Sequence, residues 1–303
     1  MDKCEKILRD IRTVKIQGAE SVAINAVKAL EFRGLKCSSS SSAAFFSEMK
    51  KTRSSLFASR PTEPLMRNAI DHVLKLLESS DSNIIHLKKR LRIACSETLD
   101  HFDSARQIIA EIGSKKIENG MIVFTHCHSS TVMEVLKKAK SQGKRFHVYN
   151  TEARPLFQGR TSATELAKAG IPVTHFVDSA AKIAIKKSDM VLFGFDAVTT
   201  TKIYNKIGSD MFAMIADKYD VPIFACGDSW KFDPEGTKGR EEKIEMRPSK
   251  EIWPGAPKGV KIENPCFEKI DPHLIAAIIS ELGVYPHENF IEEVKKAYPW
   301  LSR

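Results

Sequence analysis

Two short polar segments, each directly behind a strongly apolar run, carry residue types suited to proton chemistry. They are Thr125-His126-Cys127-His128-Ser129 after Met121-Ile122-Val123-Phe124, and Gly194-Phe195-Asp196 after Met190-Val191-Leu192-Phe193. Each apolar run reads as a strand of parallel sheet buried on both faces. In an open parallel sheet, ligands bind beyond the carboxyl ends of the strands. The thiol of Cys127 and the carboxyl of Asp196 are then expected to face one site and to do acid/base work on a small molecule.

Further candidates lie near these two. Nine residues after Asp196 comes Asn205-Lys206-Ile207-Gly208, with Ser209 opening a helix. This is read as a strand-to-helix loop in which backbone N–H groups and an amine can hold a phosphate. Lys206 is therefore either a phosphate ligand or a solvated loop lysine. Ser129, Ser130 and Thr131 form the turn into another helix, where their hydroxyls and amides suit an anion as well as a helix cap. Next to that terminus Cys127 reads as a reactive thiol of lowered pKa or as an inert buried cysteine. His126-Cys127-His128 is not read as a metal site. In extended backbone the two imidazoles point to one face and the thiol to the other, and no partner follows at ligand spacing.

The elements that must position these residues fall into two parts. Up to residue 112 the apolar spacing is helical: Ser21 to Leu30, Pro64 to Leu77, and Ile84 to Ile112 with Leu87, Leu91, Ile93, Ala94, Phe102, Ile108, Ile109 and Ile112. Residues 1–112 are expected to form an all-helical domain, with the serine run Ser38 to Ser42 as a flexible connection. From Gly120 the period changes. Strands predicted at 121–125, 145–150, 173–177, 190–194 and 221–226 alternate with helices. That alternation is the pattern of a Rossmann-like, doubly wound parallel sheet, assigned to residues 113–303 of an α/β protein. Capping boxes are read at Thr131 with Glu134 and at Ser162 with Glu165, and a helix stop at Gly170.

The 303 residues suffice for one large core or two smaller ones, and 42% hydrophobic with 28% charged residues is ordinary for a soluble globular protein. The net charge of +9 comes from Lys and Arg spread among Glu and Asp, with no basic block interleaved with aromatics. Nucleic-acid binding is therefore not expected, while a basic surface suits a phosphorylated substrate. No apolar stretch approaches the roughly 20 residues of a membrane span. Met1-Asp2-Lys3-Cys4-Glu5-Lys6 lacks the apolar stretch of a signal peptide, so the cytoplasm is expected. Six cysteines without a Cys-x-x-Cys pair are expected to be reduced, five of them (Cys4, Cys37, Cys95, Cys226 and Cys266) behaving as small apolar side chains. No Gly-x-Gly-x-x-Gly follows the first strand, which argues against a dinucleotide-dependent dehydrogenase.

Taken together, several segments resemble one superfamily in order and spacing. They are Thr125 to Ser129, Thr151-Glu152-Ala153-Arg154-Pro155 with Gln158-Gly159, Gly170-Ile171-Pro172-Val173-Thr174, Gly194-Phe195-Asp196, Asn205 to Gly208 and Lys231-Phe232-Asp233-Pro234. The superfamily unites the α, β and δ subunits of translation initiation factor 2B, methylthioribose-1-phosphate isomerase and archaeal ribose-1,5-bisphosphate isomerase. The resemblance is closest to the last. It includes Ser59-Arg60-Pro61-Thr62, Asn264-Pro265-Cys266-Phe267 and Gly283-Val284-Tyr285-Pro286, and so covers nearly the whole chain.

The resemblance implies an aldose–ketose isomerase that converts α-D-ribose 1,5-bisphosphate to D-ribulose 1,5-bisphosphate in nucleoside monophosphate salvage. It implies no metal or other cofactor, a homo-oligomer (a dimer or a hexamer of dimers), and a nucleotide activator. By the same resemblance Cys127, as thiolate, takes the proton and Asp196, kept protonated by an apolar surround, gives one. Gly18, Ala19, Arg60, Ser129, Ser130, Thr131, Asn205, Lys206 and Lys231 would hold the phosphorylated pentose, with Arg154 and Gln158 shaping the site. Four departures stand out: Gln17-Gly18-Ala19-Glu20 where Arg-Gly-Ala-Gly is common, His128 for Asn, Ser130 for Gly, and Phe195 for a small residue. Two alternatives stay open. One is a noncatalytic initiation-factor subunit that binds a sugar phosphate or nucleotide, and the other is an isomerase of a different 1-phosphosugar.

Overall fold

The computed structural model describes residues 2–39, 41–78, 83–234 and 244–302. By its contacts the chain divides into two compact units, Met1–Ser104 and Ala105–Ser302. The division falls inside a helix whose end the sequence reading took as the domain boundary, at residue 112. Ile109 near that helix end belongs to the core of the second unit.

The first unit is helical: α1 (Lys3–Arg12), α2 (Ala19–Lys36), α3 (Ser42–Ser59), α4 (Pro64–Glu78) and the start of α5 (Ile84–Ser114). A capping box between Asp2 and Glu5 starts α1. Helix α2 packs against α1, α3 and α4. It does so through Val22, Ala23, Ala26, Val27 and Leu30, all fully buried, and the alanines let the neighbouring helices approach. Ser40 of the serine run lies outside the described residues; Ser41 caps α3 and Ser42 begins it, so the run's last residues belong to a helix rather than a connection. Ile93, read as apolar periodicity, is 39% exposed.

The second unit is built on a seven-stranded sheet in the order β10-β9-β7-β4-β1-β2-β3. Its strands are β1 (Ile122–Thr125), β2 (His147–Thr151), β3 (Val173–Phe176), β4 (Met190–Gly194), β7 (Ile223–Cys226), β9 (Ala277–Ser280) and β10 (Gly283–Tyr285). All neighbours pair in parallel except β9 with β10. The five strands expected from the sequence are all present. Successive residues alternate faces. Val123, Val148 and Leu192 join the core with Val132, Val135 and Leu136 of α6 (Ser130–Ser141) and Leu166 of α7 (Gln158–Lys168). Phe124 meets Phe193 and, on α9 (Ser209–Lys218), Phe212 in edge-to-face contacts on the opposite side. The short helix α8 (Ala181–Ile185) packs beside α9, and α10 (His287–Ala297) packs near β9 and β10.

A second, three-stranded antiparallel sheet, β5 (Ala197–Val198), β6 (Ile203–Lys206) and β8 (Phe267–Ile270), grows out of the end of β4. This sheet was not expected, and it corrects the placement of Asn205 and Lys206. Both end a strand, paired in register with Glu268 and Phe267, rather than lying in a loop. The expected caps also shift. Ser129, not Thr131, caps α6 by accepting from Val132 N–H. Helix α7 begins at Gln158, so Ser162 is inside it. Gly170 follows α7 with φ +71°, the left-handed stop its residue type allows. Among the described residues no helix is long and apolar enough to cross a membrane.

Candidate active site

The order of the main sheet reverses at β1: β2 and β3 lie on one side of it, β4 and β7 on the other. Such a reversal opens a crevice outside the strand ends, because the connecting segments diverge to opposite faces. Cys127 follows β1 by two residues and Asp196 follows β4 by two, so the thiol and the carboxyl stand on the two sides of that crevice. The two groups act on each other electrostatically.

The backbone at Cys127 is not extended. Its φ of +64° is left-handed, a conformation that costs about 1–2 kcal/mol for a residue with a β-carbon. The alternation argument for His126 and His128 therefore does not apply, and each imidazole has its own protein partners. His126 is buried, with Nδ1 2.6 Å from Thr151 Oγ1 and Nε2 2.9 Å from the Ile207 carbonyl oxygen. His128 Nδ1 lies 3.0 Å from Ser162 Oγ, and that hydroxyl donates to the Cys127 carbonyl at 2.8 Å. Since the one Ser162 proton goes to Cys127, His128 Nδ1 is the donor to Ser162. A chain of two hydrogen bonds thus holds the carbonyl of the strained residue.

Burial pushes the Cys127 thiol up to about 11, and the neighbouring Asp196 and Cys266 push in the same direction. The Lys206 ammonium and the backbone N–H of His128 pull it back only in part. Of the two readings of this thiol, the surroundings in the unliganded protein favour the raised pKa of a buried cysteine over a lowered one, because removal from water outweighs the Lys206 cation. All six cysteines are free; Cys4, Cys95 and Cys226 are buried, while Cys37 and Cys266 are half-buried like Cys127.

Asp196 is half-buried between Phe195 and Ala197, which are buried, and its N–H donates to the Tyr204 carbonyl at 2.8 Å. Continuing the β5–β6 register places Asn205 across from it and Lys206 next along. The Asn205 amide donates to Ser209 Oγ at 2.9 Å. Lys206 is 5% exposed, and its ammonium has no hydrogen bond or ion pair among the described residues. A buried cation without a counter-ion is a strong candidate to hold an anion. The α9 N-terminus beside it is already occupied, because Glu268 Oε1 accepts from the Asp210 N–H at 2.6 Å. Lys206, not the helix end, is the anion donor on this side.

Lys231, also buried, donates its ammonium to the Phe195 carbonyl at 2.6 Å and lies over the Phe195 ring. It thereby braces the peptide that leads into Asp196. Ser129 caps α6, Ser130 is exposed at its first position, and Thr131 is buried. Arg154 is exposed, stacked on Phe157 at 4.8 Å with a hydrogen bond to the Ile252 carbonyl at 3.2 Å. Gln158 opens α7, and its buried Oε1 has no hydrogen-bond partner among the described residues.

Gly18, Ala19 and Arg60 belong to the first unit. Gly18, at φ +81°, caps α2, Ala19 is its first residue, and Arg60 closes α3 with its guanidinium 3.5 Å from Glu63. Sequence reasoning missed His126, Thr151 and Ser162 as parts of the site. A buried histidine directly after a threonine-ended strand carries no distinctive spacing, and the sequence pattern around Ser162 points only to a cap.

Residues 15–287 match the Initiation factor 2 subunit family. The chain is 34% identical over 307 residues to the ribose 1,5-bisphosphate isomerase of Thermococcus kodakarensis, covering 98% of this chain and 95% of that one. It is 33% identical over 306 residues to the enzyme of the same description from Methanocaldococcus jannaschii, covering 100% and 98%. Among solved structures, a translation initiation factor eIF-2B from Pyrococcus horikoshii superposes with a TM-score of 0.82 over 94% of this chain and 98% of that one, at 22% identity. That likeness concerns the fold.

Proposed function

The chain belongs to the Initiation factor 2 subunit family, and from that premise we propose that it is an aldose–ketose isomerase converting α-D-ribose 1,5-bisphosphate to D-ribulose 1,5-bisphosphate. The observation that carries this reading is the pairing of Cys127 and Asp196 across the crevice at the sheet reversal, with the unpartnered ammonium of Lys206 beside them. Similarity to isomerases along nearly the whole chain supports it.

The reaction needs two groups with opposite protonation. Carbon 1 of the substrate carries a phosphate, so the ring cannot open simply by releasing an aldehyde. The Cys127 thiolate takes the carbon 2 proton while the Asp196 carboxyl protonates the ring oxygen, and the bond between carbon 1 and that oxygen breaks. The product of this step is an enol phosphate with a hydroxyl at carbon 2. Asp196, now a carboxylate, takes that hydroxyl proton, and the Cys127 thiol returns its proton to carbon 1. Both side chains end in their starting states. Lys206 holds a substrate phosphate, Ser129, Ser130 and Thr131 offer hydroxyls and amides on the β1 side, and Gln158 supplies an unused acceptor. Lys231 keeps the Asp196 peptide in place.

The wider reading is of a cytoplasmic homo-oligomer open to activation by a nucleotide; six free cysteines fit a reducing compartment. The test is to incubate the purified protein with α-D-ribose 1,5-bisphosphate and follow ribulose 1,5-bisphosphate by NMR. Ketose is expected. Binding without ketose, even with nucleoside monophosphates added, would make the protein a noncatalytic regulatory subunit. Turnover only of 1-phosphosugars lacking the second phosphate would move the substrate assignment.

A further inference from the structure

His126 has no part in the chemistry above, yet it is buried at the base of the crevice with both ring nitrogens engaged. A carbonyl oxygen only accepts, so the nitrogen facing Ile207 carries the proton. Removal from water holds the ring pKa down at about 4, so the ring is neutral and its other nitrogen accepts from the Thr151 hydroxyl. One tautomer therefore satisfies both contacts. The ring edge is also fixed against Phe212, at 4.8 Å and 83°. Gly208 has φ +102°, and a β-carbon there would lie 3.3 Å from His126 Nε2. The turn after Lys206 thus comes down closely on the imidazole.

These contacts join separate parts of the molecule. His126 sits between the end of β1 and Cys127, Thr151 ends β2, and Ile207 follows Lys206 at the end of β6. The Ile207 N–H donates to the Cys266 carbonyl at 3.0 Å, so both backbone groups of Ile207 are held. We propose that His126 is a positioning residue that pins the small antiparallel sheet to the end of β1 and so sets the ammonium of Lys206 against the thiol of Cys127. No other side-chain hydrogen bond between the 126–128 segment and β6 or its following turn occurs among the described residues. The proposal rests on the isomerase reading only in calling Cys127 the base, because the placement of a cation beside a thiol can be read without turnover.

The readout is the pH dependence of Cys127 alkylation by iodoacetamide in the full chain, with Cys127→Ser as the blank. The groups that face the thiol are Lys206 on β6, Asp196 after β4, Cys266 before β8 and the His128 backbone N–H. Of these, Lys206 is the one side chain that favours the thiolate. His126→Phe keeps the ring packing and removes both hydrogen bonds. The alkylation rate at fixed pH is expected to fall on the order of tenfold, the effect of a rise of one unit in thiol pKa. Lys206→Met should give a similar fall, and His126→Phe added to Lys206→Met should add little, because the histidine acts through the lysine. His126→Gln, whose amide can donate to Ile207, should restore most of the parent rate. Thr151→Val is the milder variant if His126→Phe fails to fold, and is expected to move the rate in the same direction. A parent-like rate in His126→Phe, or in Thr151→Val where His126→Phe does not fold, or an equal fall with and without Lys206, overturns the positioning role. Absence of isomerase activity in the parent with these rate changes intact would leave that role standing and remove only the substrate assignment.

Discussion

Ser129 sits over the backbone of Gly194 so closely that a β-carbon on Gly194 would meet its hydroxyl oxygen at 2.6 Å and its β-carbon at 2.7 Å. The contact closes the base of the crevice, since Ser129 follows Cys127 by two residues and Gly194 precedes Asp196 by two. The separation of thiol and carboxyl therefore depends on the absence of a side chain at Gly194.

Gly194→Ala should destabilise the protein by about 1–3 kcal/mol, the usual penalty for forcing a methyl into a packed site. It should also lower kcat, because Ser129 can yield only by disturbing the α6 cap and the Cys127 turn. Thermal unfolding and steady-state kinetics on the same preparation check both parts. Unchanged Tm and kcat would mean that the two strand ends are free to separate.

The thiol pKa gives a signed expectation. With the thiol raised to about 11 by burial, the thiolate fraction grows about tenfold for each pH unit below that point. Alkylation of Cys127 should accelerate steadily from pH 7 to 10 and level off only near 11. Bound substrate should protect the thiol. Cys127→Ser should abolish turnover while leaving substrate affinity within a few fold, because a hydroxyl is far too weak a base near neutral pH. A rate plateau already reached below pH 8 would show a thiol activated in the free protein.

Lys206 and Lys231 are both buried lysines of the candidate site, but their ammonium groups differ in employment. Lys231 is bound to the Phe195 carbonyl, whereas Lys206 has no partner among the described residues. Lys206→Ala should weaken substrate binding by about 1.5–3 kcal/mol, the scale of a charge-assisted hydrogen bond. Lys231→Ala should reduce Tm and kcat together, through the peptide before Asp196. Isothermal titration and thermal unfolding separate the two patterns, and equal loss of affinity in both variants would make Lys231 a phosphate ligand as well.

The parts legible in the sequence were those governed by burial on both faces of a sheet. The runs ending at Phe124 and Phe193 are apolar without alternation because helices cover both sides, and they led directly to Cys127 and Asp196. The small sheet escaped because β5 is two residues long and β6 ends in Asn205-Lys206, polar residues buried by their partners in β8 and α9 rather than by an apolar pattern. The left-handed turn at Cys127 escaped because nothing in its residue type announces it. It is held by Ser162, which is distant in sequence. The start of α7 was misplaced for a similar reason. Gly159 lets the helix begin against the Thr151 carbonyl, a long-range fit that outweighs the local Ser162 and Glu165 pattern.

Asp196 decides between an isomerase and a regulator that merely binds the sugar. A proton donor to the ring oxygen must be a carboxylic acid at the moment of ring opening, and the flanking Phe195, Ala197 and Val198 are all buried apolar residues. Asp196→Asn keeps the shape and the ability to donate a hydrogen bond but cannot deliver an acidic proton. Its affinity for ribose 1,5-bisphosphate should remain within a few fold of the parent, while kcat falls by about 10²-fold or more, the scale of lost general acid catalysis. Both quantities are accessible from titration calorimetry and ketose formation on one preparation. If Asp196→Asn turned over as fast as the parent, the ring oxygen would take its proton from another group and Asp196 would be a binding residue. If affinity were lost along with rate, the carboxyl would be holding the sugar in the ground state rather than acting in the transition state.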